Sequence, residues 1–157
     1  NLTFWGKMTG LRGGALKQRV GEMLEITGLT ERQKGRVSKF SGGMQRRLNI
    51  GIALLHKPQV LILDEPTVGI DPQSRRNILD MVKKLNAQGM TVLYTTHYME
   101  EADQLSDRVA IIDRGHIVAL NTPAQLKATH GEGEKTTLED VFVKLTGRYL
   151  GRGEYSS

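Results

Sequence analysis

Two adjacent carboxylates follow a short apolar run in this chain. Asp64 and Glu65 come directly after residues 60–63, whose sequence is Val-Leu-Ile-Leu. A continuous apolar run of this length predicts a strand that is buried on both faces. In open α/β sheets, ligands bind beyond the carboxyl ends of the strands. The two acids therefore stand where chemistry is expected, although a helix cap or an ion pair is a plainer role for the same residues.

A glycine-containing segment at 40–47 is the second candidate. Its sequence is Phe-Ser-Gly-Gly-Met-Gln-Arg-Arg, and apolar residues then recur at helical spacing. Ser41 stands at the expected N-cap position of that helix. Unpaired N–H groups at a helix start favour an anion, and Gly42 and Gly43 would let a phosphate approach the backbone closely. A capped helix start without a ligand is the alternative.

The motif most typical of a phosphate site is not found in the sequence. The 157 residues contain no Gly-x-x-x-x-Gly-Lys-Ser/Thr loop. Such a loop would supply the backbone N–H groups and the lysine that bind nucleotide phosphates. The segment at 131–136 has Lys-Thr after two glycines, but Thr129 and Glu134 occupy the two positions where this loop requires glycine. We therefore do not interpret it as a phosphate loop.

Composition is that of an ordinary globular protein. Hydrophobic residues make up 38% and charged residues 25% of the chain, and there is no cysteine, which excludes disulfides and thiolate metal sites. No apolar run reaches the roughly 20 residues of a membrane helix. Residues 1–47 carry ten Lys and Arg against three acids, so their net charge is +7. This basic front, residues 1–47, is either a solvated helical face or a surface that binds an anion. Because aromatic residues are not interleaved with its basic residues, we expect no nucleic-acid partner.

The remaining patterns predict alternating helices and strands. Asp71-Pro72 is typical of an N-cap and first helical residue, and a second strand is predicted at 90–96 with His97 at its end. Further elements are predicted as follows: a helix that ends at Gly28, strands at 109–112 and 117–120 joined by a tight turn at 114–115, helices after Thr122 and after a Thr137/Asp140 capping box, a flexible joint at 131–135, and a disordered tail from Gly151. The alternation favours a mostly parallel α/β sheet.

Taken in order and spacing, four of these segments resemble the motifs of the nucleotide-binding domain of an ABC transporter. The segments at 40–44, 60–66 and 69–71 are similar to its signature, Walker B strand and D-loop, and His97 is similar to its switch histidine. Met44 replaces the usual Gln, as in the branch that serves drug, lipid and polysaccharide exporters. The resemblance implies a partial P-loop NTPase fold, with a mostly parallel sheet and a helical subdomain.

The resemblance also implies a division of the chain into three parts. Residues 1–57 would form the helical subdomain that ends in the signature helix. Residues 58–130 would form a partial ATPase core with the Walker B strand, the D-loop and the switch histidine. Residues 131–157 would form a C-terminal helix and a flexible tail. Because the Walker A and glutamine loops would lie before Asn1, we expect an N-terminally truncated chain that binds ATP weakly by itself, does not hydrolyse it, and exposes an apolar sheet edge.

The resemblance assigns a role to each candidate residue, with ATP and Mg²⁺ as cofactors. Asp64 would bind Mg²⁺, directly or through water, and Glu65 would be the general base toward the attacking water. His97 would donate a hydrogen bond to the γ-phosphate and position Glu65, although a polar loop residue is a plainer reading. The signature residues and the D-loop aspartate would contact an ATP molecule held by a second subunit; they are Ser41, Gly42, Gly43, Met44 and Asp71.

The implied function is that of an ATP-hydrolysing subunit of an exporter. Its partners would be a membrane permease and a second nucleotide-binding domain, in a homodimer or a heterodimer, at the cytoplasmic face of the cell membrane. Two alternatives stay open at this point. The chain could donate its signature to a partner's site without hydrolysis of its own, or it could belong to a soluble ABC-type ATPase that acts on ribosomes or DNA.

Overall fold

The computed structural model of the chain describes residues 1–131, 133 and 135–147. It divides into two compact units, Asn1–Thr95 and Thr96–Ser157, here called the first and the second unit. The joint predicted at 131–135 falls partly outside the described residues, and the tail predicted from Gly151 falls wholly outside them. None of the described helices is both long and apolar enough to cross a bilayer.

The first unit is mainly helical around one small sheet. Its helices and strands are α1 (Leu2–Met8), α2 (Gly13–Thr27), short 3-10 turns at Thr30–Arg32 and Val37–Lys39, α3 (Gly42–Leu54), β1 (Val60–Asp64), α4 (Pro72–Ala87) and β2 (Thr91–Thr95). Helix α2 ends as predicted, because Gly28 adopts a left-handed conformation with φ 63° that glycine tolerates without strain. The unit's buried apolar residues include Met23, Leu54 and Ile78.

Strands β1 and β2 form a parallel pair in which Asp64 lies opposite Thr95. Leu61 and Leu63 are buried, whereas Val60 and Ile62 keep 53% and 66% of their surface exposed. The prediction that this strand is buried on both faces is therefore wrong. Successive side chains of a strand point to opposite faces, and in the described part of the chain only one face of this pair is covered.

The uncovered face of the β1–β2 pair leads to a prediction about association. Val60, Ile62 and Leu93 are all more than half exposed on this face, and an exposed apolar patch favours contact between molecules. We expect a polypeptide of these 157 residues to self-associate, and Ile62→Lys to reduce its mean mass in light scattering without unfolding it. The matched variant Leu61→Lys places the same charge on the buried face and should unfold the protein. A monodisperse monomer of the unmodified polypeptide would contradict this prediction.

The described part of the second unit contains three helices and an antiparallel hairpin. Its elements are α5 (Met99–Leu105), β3 (Val109–Asp113), β4 (His116–Asn121), α6 (Pro123–His130) and α7 (Leu138–Thr146). The predicted tight turn is confirmed, because Arg114 and Gly115 both have positive φ, 48° and 79°, as hairpin turns of the primed types require. The core of this unit consists of small and aliphatic side chains: Ala102, Ile111, Leu126, Leu138 and Val141.

The start of α7 confirms the predicted capping box. The Thr137 side chain accepts from the backbone N–H of Asp140, and the Asp140 carboxylate accepts from the backbone N–H of Thr137 at 2.8 Å. The bond from the Thr137 backbone, together with a bond that the Thr137 hydroxyl donates to the same carboxylate at 2.8 Å, holds the pKa of Asp140 below its usual value. The box fixes the first turn of the helix that carries the buried Leu138 and Val141 into the core of the second unit.

Candidate functional site

The carboxylate pair lies at the carboxyl end of the parallel strands, and Thr95 holds both of its members. The Thr95 hydroxyl donates a hydrogen bond to Asp64 Oδ1. The backbone N–H of Glu65 donates to Thr95 Oγ1 at 3.1 Å and to the Thr95 carbonyl at 3.2 Å. Thr95 thus fixes the carboxylate of one acid and the backbone of the other. Sequence reasoning missed Thr95, because its role depends on the register that places it opposite Asp64.

Glu65 has an unusual backbone conformation. Its φ is +42°, in a region that residues with a side chain seldom adopt and that costs on the order of 1–3 kcal/mol. Its carbonyl accepts from the N–H of Val68 at 3.3 Å, so the chain turns sharply after the strand. Pro66 and Thr67 within this turn are buried. Strain of this kind is typical of functional sites, and here it sets the direction in which the half-buried Glu65 leaves the sheet.

The donor set at this edge fits a cation that keeps most of its water. Asp64 is exposed to solvent. Its carboxylate accepts a hydrogen bond from the Thr95 hydroxyl. Within the described residues, no group of three or more His, Cys, Asp or Glu side chains could hold a metal. Mg²⁺ is commonly bound by one or two carboxylates together with water and substrate phosphates. The chemistry of Asp64 therefore suits Mg²⁺ delivered with a nucleotide rather than a cation enclosed by protein ligands.

The signature segment begins helix α3 as predicted. Ser41 is the N-cap, and its side chain accepts from the backbone N–H of Met44 at 3.3 Å. The positive end of the helix dipole lies at this turn, which favours an anion. Gly42 is exposed and open: a Cβ built on it would lie 3.7 Å from Ile70, which is an ordinary contact. A methyl group at Gly42 would therefore meet no obstacle among the described residues.

Gly43 differs from Gly42 in its surroundings. It is buried, and a Cβ built on it would lie 2.2 Å from the Cβ of Ser74 in helix α4. Packing within the chain therefore requires glycine at this position. The sequence predicts that both glycines allow a phosphate to approach, and for Gly43 the structure supplies a second and sufficient reason for glycine. No local pattern indicates this role of Ser74, because the contact joins two helices.

Asp71 is the N-cap of helix α4, and its carboxylate accepts from the backbone N–H of Ser74 at 2.9 Å. This bond and a second one from the Ser74 hydroxyl lower the pKa of Asp71. Since Ser74 also touches Gly43, the helix start that holds the signature and the helix start that holds the D-loop aspartate lie side by side. The structure thus brings together the two helix starts that hold the predicted residues, with Ser41, Gly42 and Asp71 exposed and Gly43 buried between the helices.

Arg47 fixes helix α3 to the end of helix α2. Its Nη1 donates to the Thr27 carbonyl at 2.7 Å, at the carboxyl end of α2. Burial lowers the pKa of the Arg47 guanidinium, and the negative charge of Asp71 opposes this shift. A cation at a helix carboxyl end also interacts favourably with the helix dipole. Sequence reasoning counted Arg47 only as part of the basic front, whereas the structure shows that it anchors the signature helix.

His97 belongs to the second unit, in the loop before helix α5. Thr96 Oγ1 accepts from the backbone N–H of Tyr98 at 3.0 Å and donates to Glu101 Oε2 at 2.9 Å. Only 1% of the surface of Glu101 is exposed. The His97 and Tyr98 rings pack with their centroids 4.3 Å apart. A buried carboxylate therefore anchors the turn that carries His97, a role that the sequence did not indicate among the acids of this helix.

The chain is similar in sequence to ABC transporter proteins and to several ATP-binding proteins. A match to the ABC transporter family covers residues 1–68. Linearmycin resistance ATP-binding protein LnrL of Bacillus subtilis is 61% identical over 146 residues, which are 93% of this chain and 45% of LnrL. Doxorubicin resistance ATP-binding protein DrrA of Mycobacterium tuberculosis is 46% identical over 96% of this chain and 43% of DrrA. Nod factor export ATP-binding protein I of Cupriavidus metallidurans is 42% identical over 98% of this chain and 54% of that protein.

Solved structures give the same result for the fold. An ATP-binding subunit of an ABC transporter superposes with a TM-score of 0.74 and 26% identity, over 92% of this chain and 61% of that one. The protein cbiO1 from Clostridium perfringens, part of the transporter complex cbiONQ, superposes with a TM-score of 0.76 over 83% of this chain and 53% of cbiO1. The chain spans about half the length of the curated relatives it matches. These similarities confirm the predicted fold class.

Proposed function

This chain belongs to the ATP-binding domains of ABC transporters, and on that premise we propose that it is part of a subunit that hydrolyses ATP to drive export through a membrane permease. The observation that carries the proposal is the carboxylate pair that Thr95 holds at the end of two parallel strands. In phosphoryl transfer, catalysis consists largely of positioning and charge stabilisation. The hydrogen bonds of Thr95 to the Asp64 carboxylate and to the Glu65 backbone support this proposal.

Each residue of the pair has a separate task in the proposed mechanism. Asp64 would hold Mg²⁺, directly or through water, and the Thr95 hydroxyl fixes the direction of its carboxylate. When bound, Mg²⁺ neutralises negative charge on the nucleotide phosphates. Glu65 orients a water molecule and accepts its proton as general base. His97 would donate a hydrogen bond to the γ-phosphate, and the hydrogen bonds of Thr96 with Tyr98 and Glu101 hold the turn that carries it.

The surface formed by the starts of α3 and α4 would act on a partner's nucleotide. Ser41, Gly42, Gly43 and Met44 present the positive end of a helix, and Asp71 lies beside them. We propose that this surface closes over an ATP molecule held by a second nucleotide-binding domain. The same surface, with the capped starts of α3 and α4 side by side, would also serve a second candidate function. The chain would then complete a partner's site without hydrolysing ATP itself.

The names of the relatives favour an exporter over an ATPase that acts on ribosomes or DNA. Two of the relatives are resistance proteins and one is an export protein. We therefore propose a membrane permease as partner and a location at the cytoplasmic face of the cell membrane. Within such a subunit, residues 1–57 would be the helical subdomain, residues 58–130 part of the ATPase core, and residues 131–157 the C-terminal helix and tail.

Affinity purification of the complete gene product from solubilised membranes tests this proposal. We expect it to be recovered with an integral membrane protein, and we expect the purified complex to hydrolyse ATP. Recovery with ribosomes or DNA, and without a membrane protein, would favour the soluble alternative. Recovery of the membrane complex without any hydrolysis, but with stimulation of a partner's ATPase activity, would instead support the signature donor.

A further inference from the structure

Ser74 lies between the two helix starts that the proposed function assigns to a partner's ATP. It is in the first turn of α4, and only 8% of its surface is exposed. A Cβ built on Gly43 would lie 2.2 Å from Ser74 Cβ and 2.3 Å from Ser74 Oγ, closer than folded proteins allow. The side chain of Ser74 thus occupies the space that any side chain at Gly43 would need.

The same residue also holds the D-loop aspartate. Its backbone N–H donates to Asp71 Oδ1 at 2.9 Å, and its hydroxyl forms a further hydrogen bond with the Asp71 carboxylate. Ile70 lies on the same side of Gly43, since its Cγ2 would be 3.5 Å from a Cβ built there. One small side chain therefore makes a packing contact with the signature and polar contacts with the D-loop.

We infer that Ser74 is a positioning residue that joins the signature start and the D-loop into one rigid surface, so that both segments meet a partner's ATP at a fixed spacing. This inference rests on the proposed function. A misplacement of about 1 Å can cost roughly 10²-fold in rate, so a joint of this kind affects turnover even though Ser74 itself touches no nucleotide. A larger side chain at Gly43 would force the two helix starts apart.

The first test measures the contact itself by thermal unfolding of the complete gene product. Gly43→Ala is expected to lower the melting temperature by roughly 5–10 °C through overpacking, although alanine usually stabilises a helix. The matched variant Gly42→Ala has open space and should leave the melting temperature unchanged or raise it. Combining Gly43→Ala with Ser74→Gly makes room for the new methyl group and should restore most of the loss. Additive losses in the double variant would overturn the inference.

The second test measures turnover of the same protein with its partner. Ser74→Gly removes the joint and is expected to lower kcat about 10-fold or more, with little change in KM. Gln73→Gly, at the exposed neighbouring position, introduces the same backbone freedom and should leave kcat unchanged. An unchanged kcat in Ser74→Gly, with an active unmodified protein, would overturn this inference alone. An unmodified protein with neither hydrolysis nor stimulation of a partner would overturn the proposed function and this inference with it.

The variant Ser74→Ala separates the hydrogen bond to Asp71 from the packing against Gly43. Alanine keeps the Cβ that touches Gly43 and removes the hydroxyl that bonds to Asp71. Carboxyl NMR titration is expected to show that the pKa of Asp71 rises toward its ordinary value in this variant, while the melting temperature changes little. An unchanged pKa of Asp71 in this variant would contradict the role of the Ser74 hydroxyl in holding the Asp71 carboxylate.

Discussion

Replacing Glu65 by glutamine is expected to lower ATP turnover of the complete ATP-binding protein by about 10²–10⁴-fold, the contribution typical of a general base. Glutamine has nearly the shape of glutamate but cannot accept a proton from water. The backbone N–H of residue 65 would still donate to Thr95, and the Thr95 hydroxyl would still bind Asp64. ATP affinity should therefore be retained. Phosphate release at steady state gives kcat, and equilibrium binding of ATP gives the affinity.

The control for this prediction removes a negative charge elsewhere. Glu100 is an exposed acid in the first turn of helix α5, and Glu100→Gln makes the same chemical change without altering the carboxylate pair. Turnover by this variant should equal that of the unmodified protein. If Glu65→Gln kept most of its activity, the general base would have to be another group. A loss of ATP affinity equal to the loss of turnover would instead assign Glu65 to binding.

Features set by residues a few positions apart could be predicted from the sequence. Ser41, Asp71 and Thr137 each cap a helix by accepting from a backbone N–H three residues later. Such bonds depend on local sequence, so the residue types and their spacing are enough to predict them. The turn at Arg114 and Gly115 is likewise local. The end of α2, the starts of α3 and α4, and the hairpin turn followed from signals of this kind.

The residues that support the site could not be predicted in the same way. Thr95 acts through strand register, Ser74 through contact between two helices, and Glu101 through burial. Each role depends on which elements meet in three dimensions, and a single sequence does not give that information. The exposed face of β1 has a related cause: an apolar run predicts that side chains need cover, but it does not tell which part of a protein provides it. The sequence therefore predicted the residues that could bind or react, and it did not predict Thr95, Ser74 and Glu101, which position them.

A polypeptide of these 157 residues is expected to show no ATP turnover above background in the presence of Mg²⁺. It has no loop whose N–H groups and lysine could bind the β- and γ-phosphates. The negative charges of Asp64 and Glu65 would repel those phosphates without such a loop. Phosphate release over hours at high protein concentration measures this, and the Glu65→Gln variant of the polypeptide corrects for contaminating ATPases. Turnover that this substitution abolishes would contradict the prediction.

Mixing the polypeptide with a complete ATP-binding protein separates the two candidate functions. The complete protein should carry a disabled signature, so that only the polypeptide can supply that surface to its ATP. Stimulated hydrolysis would show that the starts of α3 and α4 act in trans, since the polypeptide contributes no phosphate loop of its own. Ser41→Arg in the polypeptide should remove the stimulation, because a bulky cation replaces the N-cap, while Ser38→Arg at an exposed position outside the helix should not. Equal stimulation by both variants would mean that the contact lies elsewhere on the first unit.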